Sequence, residues 1–180
     1  ILYAEITQEG VLLESWYTDE IEGFIGAEYA VGIRGKVSSS LIYVLGSSDL
    51  STEEGLLLFI IQPNGNWYNL IKYAEEYPNI QAHSMQQTLT NEYICMGVNV
   101  EGGIHTIIIK KINADFEEGW TWESPSAQDE SPGNIALVPD GGYIVSGNVL
   151  TETNGQDCYL TRLDENGQII WTQTFGSTTN

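Results

Sequence analysis

Chemistry in this chain would have to come from two histidines, His83 and His105, two cysteines, Cys95 and Cys158, and several adjacent carboxylates. A zinc centre needs three or four ligands at set spacings, and a nucleophilic triad needs a base positioned by an acid beside a serine or cysteine. The histidines sit at unrelated places with no HExxH and no third ligand nearby, which argues against both. No GxGxxG or GxxxxGK[ST] occurs, and GIRGKVSSS (32–40) has the wrong spacing for a phosphate loop. No D-x-D-x-D-G stretch occurs, so a calcium loop of the EF-hand type is absent. Paired carboxylates remain, among them Glu53-Glu54, Glu75-Glu76, Glu117-Glu118 and Asp129-Glu130. Glycoside hydrolysis uses two carboxylates facing one bond. These pairs lie in loop-like stretches and are expected to be solvated. No catalytic, cofactor-binding or metal-ligating residue is assigned, and no cofactor is expected.

The elements that would position such groups can be read from composition and pattern. The chain has 180 residues, 42% hydrophobic and 17% charged, the make-up of one globular domain or a piece of one. No apolar run reaches the eighteen or so residues of a membrane span. Six Lys and Arg stand against 25 Asp and Glu, a formal charge of -19. Nucleic-acid phosphates need a basic face, so nucleic-acid binding is excluded. Cys95 and Cys158 sit in strand-like runs, EYICMG and QDCYLTRL, and read as buried free thiols, with a disulfide as the alternative. The chain opens on strand-like ILYAEIT with no visible signal peptide, as a processed chain or a segment of something longer would.

The chain repeats itself. Strand-ending glycines fall at Gly46, Gly97 and Gly147, at intervals of 51 and 50. A turn position falls at Gly10, Gly65, Phe116 and Gly167, at intervals of 55, 51 and 51. The four extra residues of the first interval are placed in DEIEGFIG. Each unit reads as four short strands; in the last they are about 133–139, 142–148, 157–163 and 168–175. LLLFIIQ and TIIIKKI are almost continuously apolar, as in strands buried on both faces. QPNGN and DENGQ carry Asn-Gly, the signal for a two-residue hairpin with positive φ at both central residues. PDGG before Tyr143 is a further tight turn, and TLTN and VSSS are its weaker counterparts.

A repeat of about 50 residues with four antiparallel strands marks a β-propeller blade. One twisted sheet cannot bury both its faces, and stacked blades can. The five tryptophans, Trp16, Trp67, Trp120, Trp122 and Trp171, stand at even offsets from one another relative to the turn. They are expected on one face of a strand, as inter-blade core or as a sugar-stacking surface. The opening ILYAEITQEGVLLESWYT matches CYLTRLDENGQIIWTQTF, so residue 1 enters at a third strand. The expected fold is an all-β propeller of three full four-stranded antiparallel blades, about 28–74, 79–124 and 133–176, plus an N-terminal half blade, 1–18. Known closed propellers have about four blades or more, so the missing strands must come from further sequence or another copy. The first strands of the blades, YAVGIRG, AHSMQQT and NIALVPD, carry Arg34 and His83, and their only acid, Asp140, lies at a turn. That disfavours an axial pair of catalytic acids.

In the last unit Asp140, Gly141, Gly142, Tyr143, Gly147, Asp157, Leu163, Asp164, Asn166, Gly167, Trp171, Phe175 and Gly176 form a DGGY…G…D-x-Y-L-x-x-L-D-x-N-G-x-x-x-W pattern. It resembles the blade repeats of secreted bacterial and archaeal β-propeller proteins. The earlier units keep the pattern with fewer of its signature residues. The resemblance covers about three-quarters of the chain. It implies the fold and an extracellular or cell-surface location, and it implies no particular chemistry.

Three functions are thus expected in competition. The first is a non-enzymatic extracellular propeller, structural, self-assembling or adhesive. Its acidic chains would join through edge strands into a homo-oligomer or a filament by strand complementation, or would meet an extracellular protein or glycan. The second is part of a larger propeller enzyme or glycan-binding receptor whose site lies on other blades. The third is a cation-dependent adhesion module, which calcium would stabilise.

Overall fold

The computed structural model describes the backbone of residues 2–6, 12–17, 28–35, 42–48, 56–62, 67–73, 77, 79–151 and 155–176. Side chains are described at 45–47, 56, 58, 60, 62, 77, 79–151 and 155–176. The acid pairs Glu53-Glu54 and Glu75-Glu76, most of the QPNGN turn, the DEIEGFIG loop, and the side chains of Trp16, Trp67 and Arg34 lie outside these residues.

The described elements are all strands. β1 (Leu2–Ile6) and β2 (Leu12–Tyr17) form a hairpin. Three four-stranded antiparallel sheets follow in chain order. The first holds β3 (Glu28–Gly35), β4 (Ile42–Ser48), β5 (Leu56–Ile61) and β6 (Trp67–Tyr73). The middle sheet holds β7 (Ile80–Gln87), β8 (Tyr93–Glu101), β9 (Ile104–Ile112) and β10 (Glu118–Glu123). The last holds β11 (Glu130–Leu137), β12 (Tyr143–Thr151), β13 (Gly155–Leu163) and β14 (Ile169–Phe175). Each sheet is a meander of sequential neighbours, the arrangement short hairpin turns impose.

The repeated glycines have a structural reason. Gly46, Gly97 and Gly147 pair with Ala30, Ala82 and Pro132, each at a bulge of the sheet's first strand. A bulge twists its strand and brings its backbone close. A Cβ on Gly97 would lie 2.8 Å from the Gln81 carbonyl oxygen, and one on Gly147 would lie 3.0 Å from that of Ser131. Pro132 costs no ladder bond, because β11 is an edge strand interrupted there.

The hairpin turns differ from the Asn-Gly expectation. At 164–167 only Gly167 has positive φ, 78°. The Gly167 amide donates to the Asp164 carbonyl at 3.2 Å, and the Asp164 carboxylate accepts the amides of Asn166 and Gln168 at 2.8 Å. The aspartate side chain therefore sets a three-residue loop with glycine at the bulge, in place of a two-residue loop. The same turn recurs at Asn113, with Phe116 at φ 66° in the glycine position. Phe116 tolerates this left-handed backbone while its ring stacks on Tyr93, 6.2 Å between centroids. TLTN also makes a tight turn, with Asn91 at φ 62° where its counterpart has Gly141 at 92°.

Two cores lie between the sheets. Leu45, Leu56, Leu58 and Ile60 of the first sheet pack with Ile80, Met85, Tyr93, Cys95, Ile108 and Ile112 of the middle one. Ile94, Met96, Ile107, Ile109 and Trp122, on the opposite face of the middle sheet, pack with Ile135, Tyr143, Val145, Tyr159 and Leu163 of the last. The middle sheet is thus buried on both faces, which is why TIIIKKI reads as continuously apolar. Lys110 is buried there and pairs with Glu118.

Candidate functional site

Two places in the last sheet differ from an ordinary packed interior. The first is its outer face, turned away from the middle sheet. Strand pairing sets the equivalences: Gly97 pairs with Ile108, and Gly147 with Tyr159. Ile144, Ser146, Cys158, Leu160 and Trp171 therefore stand where the middle sheet has Ile94, Met96, Ile107, Ile109 and Trp120. The aliphatic four of the middle sheet are fully buried against the last sheet. Trp120 packs on Tyr143 with centroids 5.6 Å apart, and its indole N–H donates to the Glu165 carbonyl at 3.0 Å. Trp171, its counterpart, is 39% exposed, beside Phe175 at 50% and Leu150 at 49%.

Cys158 lies on this face and is exposed, which corrects the expectation of two buried thiols. Periodicity places Cys158 on a strand, but whether its face is covered depends on a neighbouring sheet. Cys95 is buried, and burial pushes its thiol far above the ordinary cysteine range. Both thiols are free. Trp120 and Trp122 belong to the inter-sheet core, while Trp171 faces outward.

The second place is a cleft of about 240 Å³ between the last sheet and the 124–130 connection, lined by Ser124, Glu130, Tyr159, Thr161, Thr172 and Thr174 among others. Here the solvated-acid expectation fails. Glu130 is the first residue of β11 and only 4% exposed. β10 ends at Glu123, and beyond it the Ser124 amide donates to the Ile107 carbonyl at 2.9 Å. The Ile107 amide, lacking a strand partner, donates to the Glu130 carboxylate at 3.1 Å, and the Ser124 hydroxyl donates to it at 2.5 Å. Burial raises the Glu130 pKa above the ordinary glutamate value, against these two donors. The Tyr159 hydroxyl, also buried in the cleft, makes no hydrogen bond of ordinary length, although the Ser124 hydroxyl and the Glu130 carboxylate lie close enough to act on it. Burial is the main cause of a rise in its pKa, and Glu130 adds to it.

The remaining predicted groups are structural. The His105 backbone amide and Nδ1 both contact the Asp129 carboxylate, at 2.9 and 2.7 Å, and these bonds hold the Asp129 pKa below its ordinary value. The pair has two of the three groups of a catalytic triad, but among the described residues no hydroxyl or thiol bonds the other ring nitrogen. His83 reaches across to the Gly133 carbonyl at 2.9 Å, tying β7 to β11. Asp140 pairs with Arg162 at 3.1 Å, and Glu117 accepts from Asn113 at 3.0 Å. Among the described residues no three His, Cys, Asp or Glu side chains converge as a metal site. Sequence pattern gives Glu130 only as a solvated acid, because it starts the strand at about 133 where the structure starts it at Glu130, and it gives no signal for Tyr159.

Comparison of the chain with protein-family models and with curated proteins yields no match.

Proposed function

We propose that the chain is a β-propeller-type unit of three blades and a half whose work is non-enzymatic: extracellular self-association or adhesion through the outer face of its last sheet. The observation that carries this reading is Trp171. Its counterpart Trp120 is covered by Tyr143 and the Gly167 turn of the following sheet, so the occupant suited to Trp171 is another sheet of the same repeat. Three aliphatic or aromatic positions of the covered face, Met96, Ile107 and Trp122, become Ser146, Cys158 and Gln173. That mixture suits a reversible contact better than a permanent core. The β1–β2 hairpin adds a second element of association. Its register matches β13–β14, including the shift after Glu5 and after Arg162, and β1 pairs only with β2 among the described residues. Strand complementation at this hairpin would join copies head to tail, a contact that does not close and builds a filament.

Sedimentation of the full chain across a concentration series tests the reading. The expected result is concentration-dependent association, with Cys158 protected from a thiol reagent as complexes form. Trp171→Glu should leave a folded monomer. A wild-type chain that stays monomeric at high concentration, with Cys158 equally reactive throughout, would overturn self-association.

A further inference from the structure

We propose that the cleft beside Glu130 is a binding site for a single neutral sugar ring. The cleft is separate from the outer face, since Tyr159, Thr161, Thr172 and Thr174 lie on the side of the last sheet that faces inward. Four features define its ligand. Its volume, about 240 Å³, is below the ~300 Å³ at which pockets for drug-sized molecules begin, so the ligand is small. Six of the ten lining residues, Ser124, Ser126, Tyr159, Thr161, Thr172 and Thr174, carry hydroxyls, and each can both donate and accept. Vicinal sugar hydroxyls have the same dual character. Among the described residues no lysine or arginine lines the cleft to pair with a phosphate or carboxylate. A cationic ligand fits less well, because both Glu130 oxygens already accept donors from Ser124 and Ile107.

The Tyr159 hydroxyl points to a ligand independently. It is buried in the lining beside Ser124 and Glu130 without a hydrogen bond of ordinary length to either, and an unmet buried hydroxyl costs about 1–3 kcal/mol. Thr161 and Thr172 bond to each other at 3.0 Å, which leaves one hydroxyl hydrogen of that pair to be directed onward. A ring hydroxyl seated between them and Glu130 would meet the orphan. Val149 and Pro125 supply the small apolar wall that a sugar's C–H face requires.

The test is titration of the full chain with D-glucose, D-galactose, D-mannose and N-acetyl-D-glucosamine, followed by amide NMR shifts and melting temperature. At least one sugar should give a saturable response centred on residues 124–130 and 159–174. Tyr159→Phe removes the orphan hydroxyl and so should fold at least as well as the parent without sugar. It should weaken sugar binding about tenfold, the equivalent of about 1.4 kcal/mol. Thr172→Val should weaken it similarly, while Trp171→Glu on the opposite face should leave it unchanged. Three results would overturn the proposal: no saturable response to any of the four sugars, as for a cleft holding only water; binding unaffected by Tyr159→Phe; or a response to methylammonium in place of the sugars.

Discussion

The middle and last sheets are built from the same repeat and live in different surroundings. In the middle sheet every residue of β8 from Tyr93 to Val98 is buried, because a sheet lies against each face. In the last sheet β12 alternates, with Tyr143, Val145, Gly147 and Val149 buried and Ile144, Ser146 and Asn148 half-buried between them. β14 is exposed along its whole length. The strands, the turns and the glycines are alike; the neighbour is not. Burial in this chain is therefore a property of a pair of sheets.

The largest way to break the comparison is truncation at matched positions. Ile109→Ala removes a fully buried side chain and should cost about 2–5 kcal/mol in denaturant unfolding. Leu160→Ala, at the same place on the uncovered face, should cost about 1 kcal/mol or less. Equal losses would mean that the outer face is covered in the folded chain. A smaller contrast lies in two glycines of the last sheet with φ of 78°. Among the described residues nothing comes within 4 Å of where a Gly155 Cβ would lie, whereas a Cβ on Gly167 would lie 2.7 Å from the Trp120 ring. Gly155→Ala should cost only the backbone strain, about 1–2 kcal/mol. Gly167→Ala should exceed it and shift Trp120 fluorescence; equal costs would show that the turn does not press on the preceding sheet.

The smallest expected effect is the pH response of the seam between these sheets. The Glu130 pKa is raised by burial, so the folded state holds that proton more tightly than the unfolded one. Its contribution is complete below the unfolded glutamate value and is lost as pH rises through the folded value. Glu130→Gln should flatten that decline in a series of melts. Asp129 next to it has a lowered pKa, from the His105 amide first and the imidazole second. Its contribution is present above the ordinary aspartate value and is lost as pH falls through the folded one. Asp129→Asn should flatten the acid side alone. Identical pH profiles for parent and variants would remove both assignments.

The same contrast explains what the amino-acid sequence made legible. Spacing found Gly97 and Gly147 because the close strand crossing there admits no other residue, and it found the apolar β9 because both its faces are covered. It placed the turn at Asn166-Gly167 but not its type, since Asp164 decides that through its side chain. Phe116 shows the same turn without glycine. Cys158 and Trp171 read as core because their positions are core one repeat earlier. Glu130 reads as a loop acid because its burial follows from the early end of β10, which leaves the Ile107 amide to be met by a side chain. Tyr159 gave no signal, since a hydroxyl's missing partner is a fact of three dimensions.

The contact of Trp120 with the Gly167 turn also bears on how the chain comes apart. That ring touches Tyr143 at one end of a hairpin and accepts the turn of another, so it clasps two connections of the following sheet at once. In stacked repeats, stability divides into terms within each unit and terms between neighbours. Here the Trp120 indole adds to the second kind, beside the apolar core of the seam. A fluctuation that frees the last turn therefore also uncovers the tryptophan of the sheet before it.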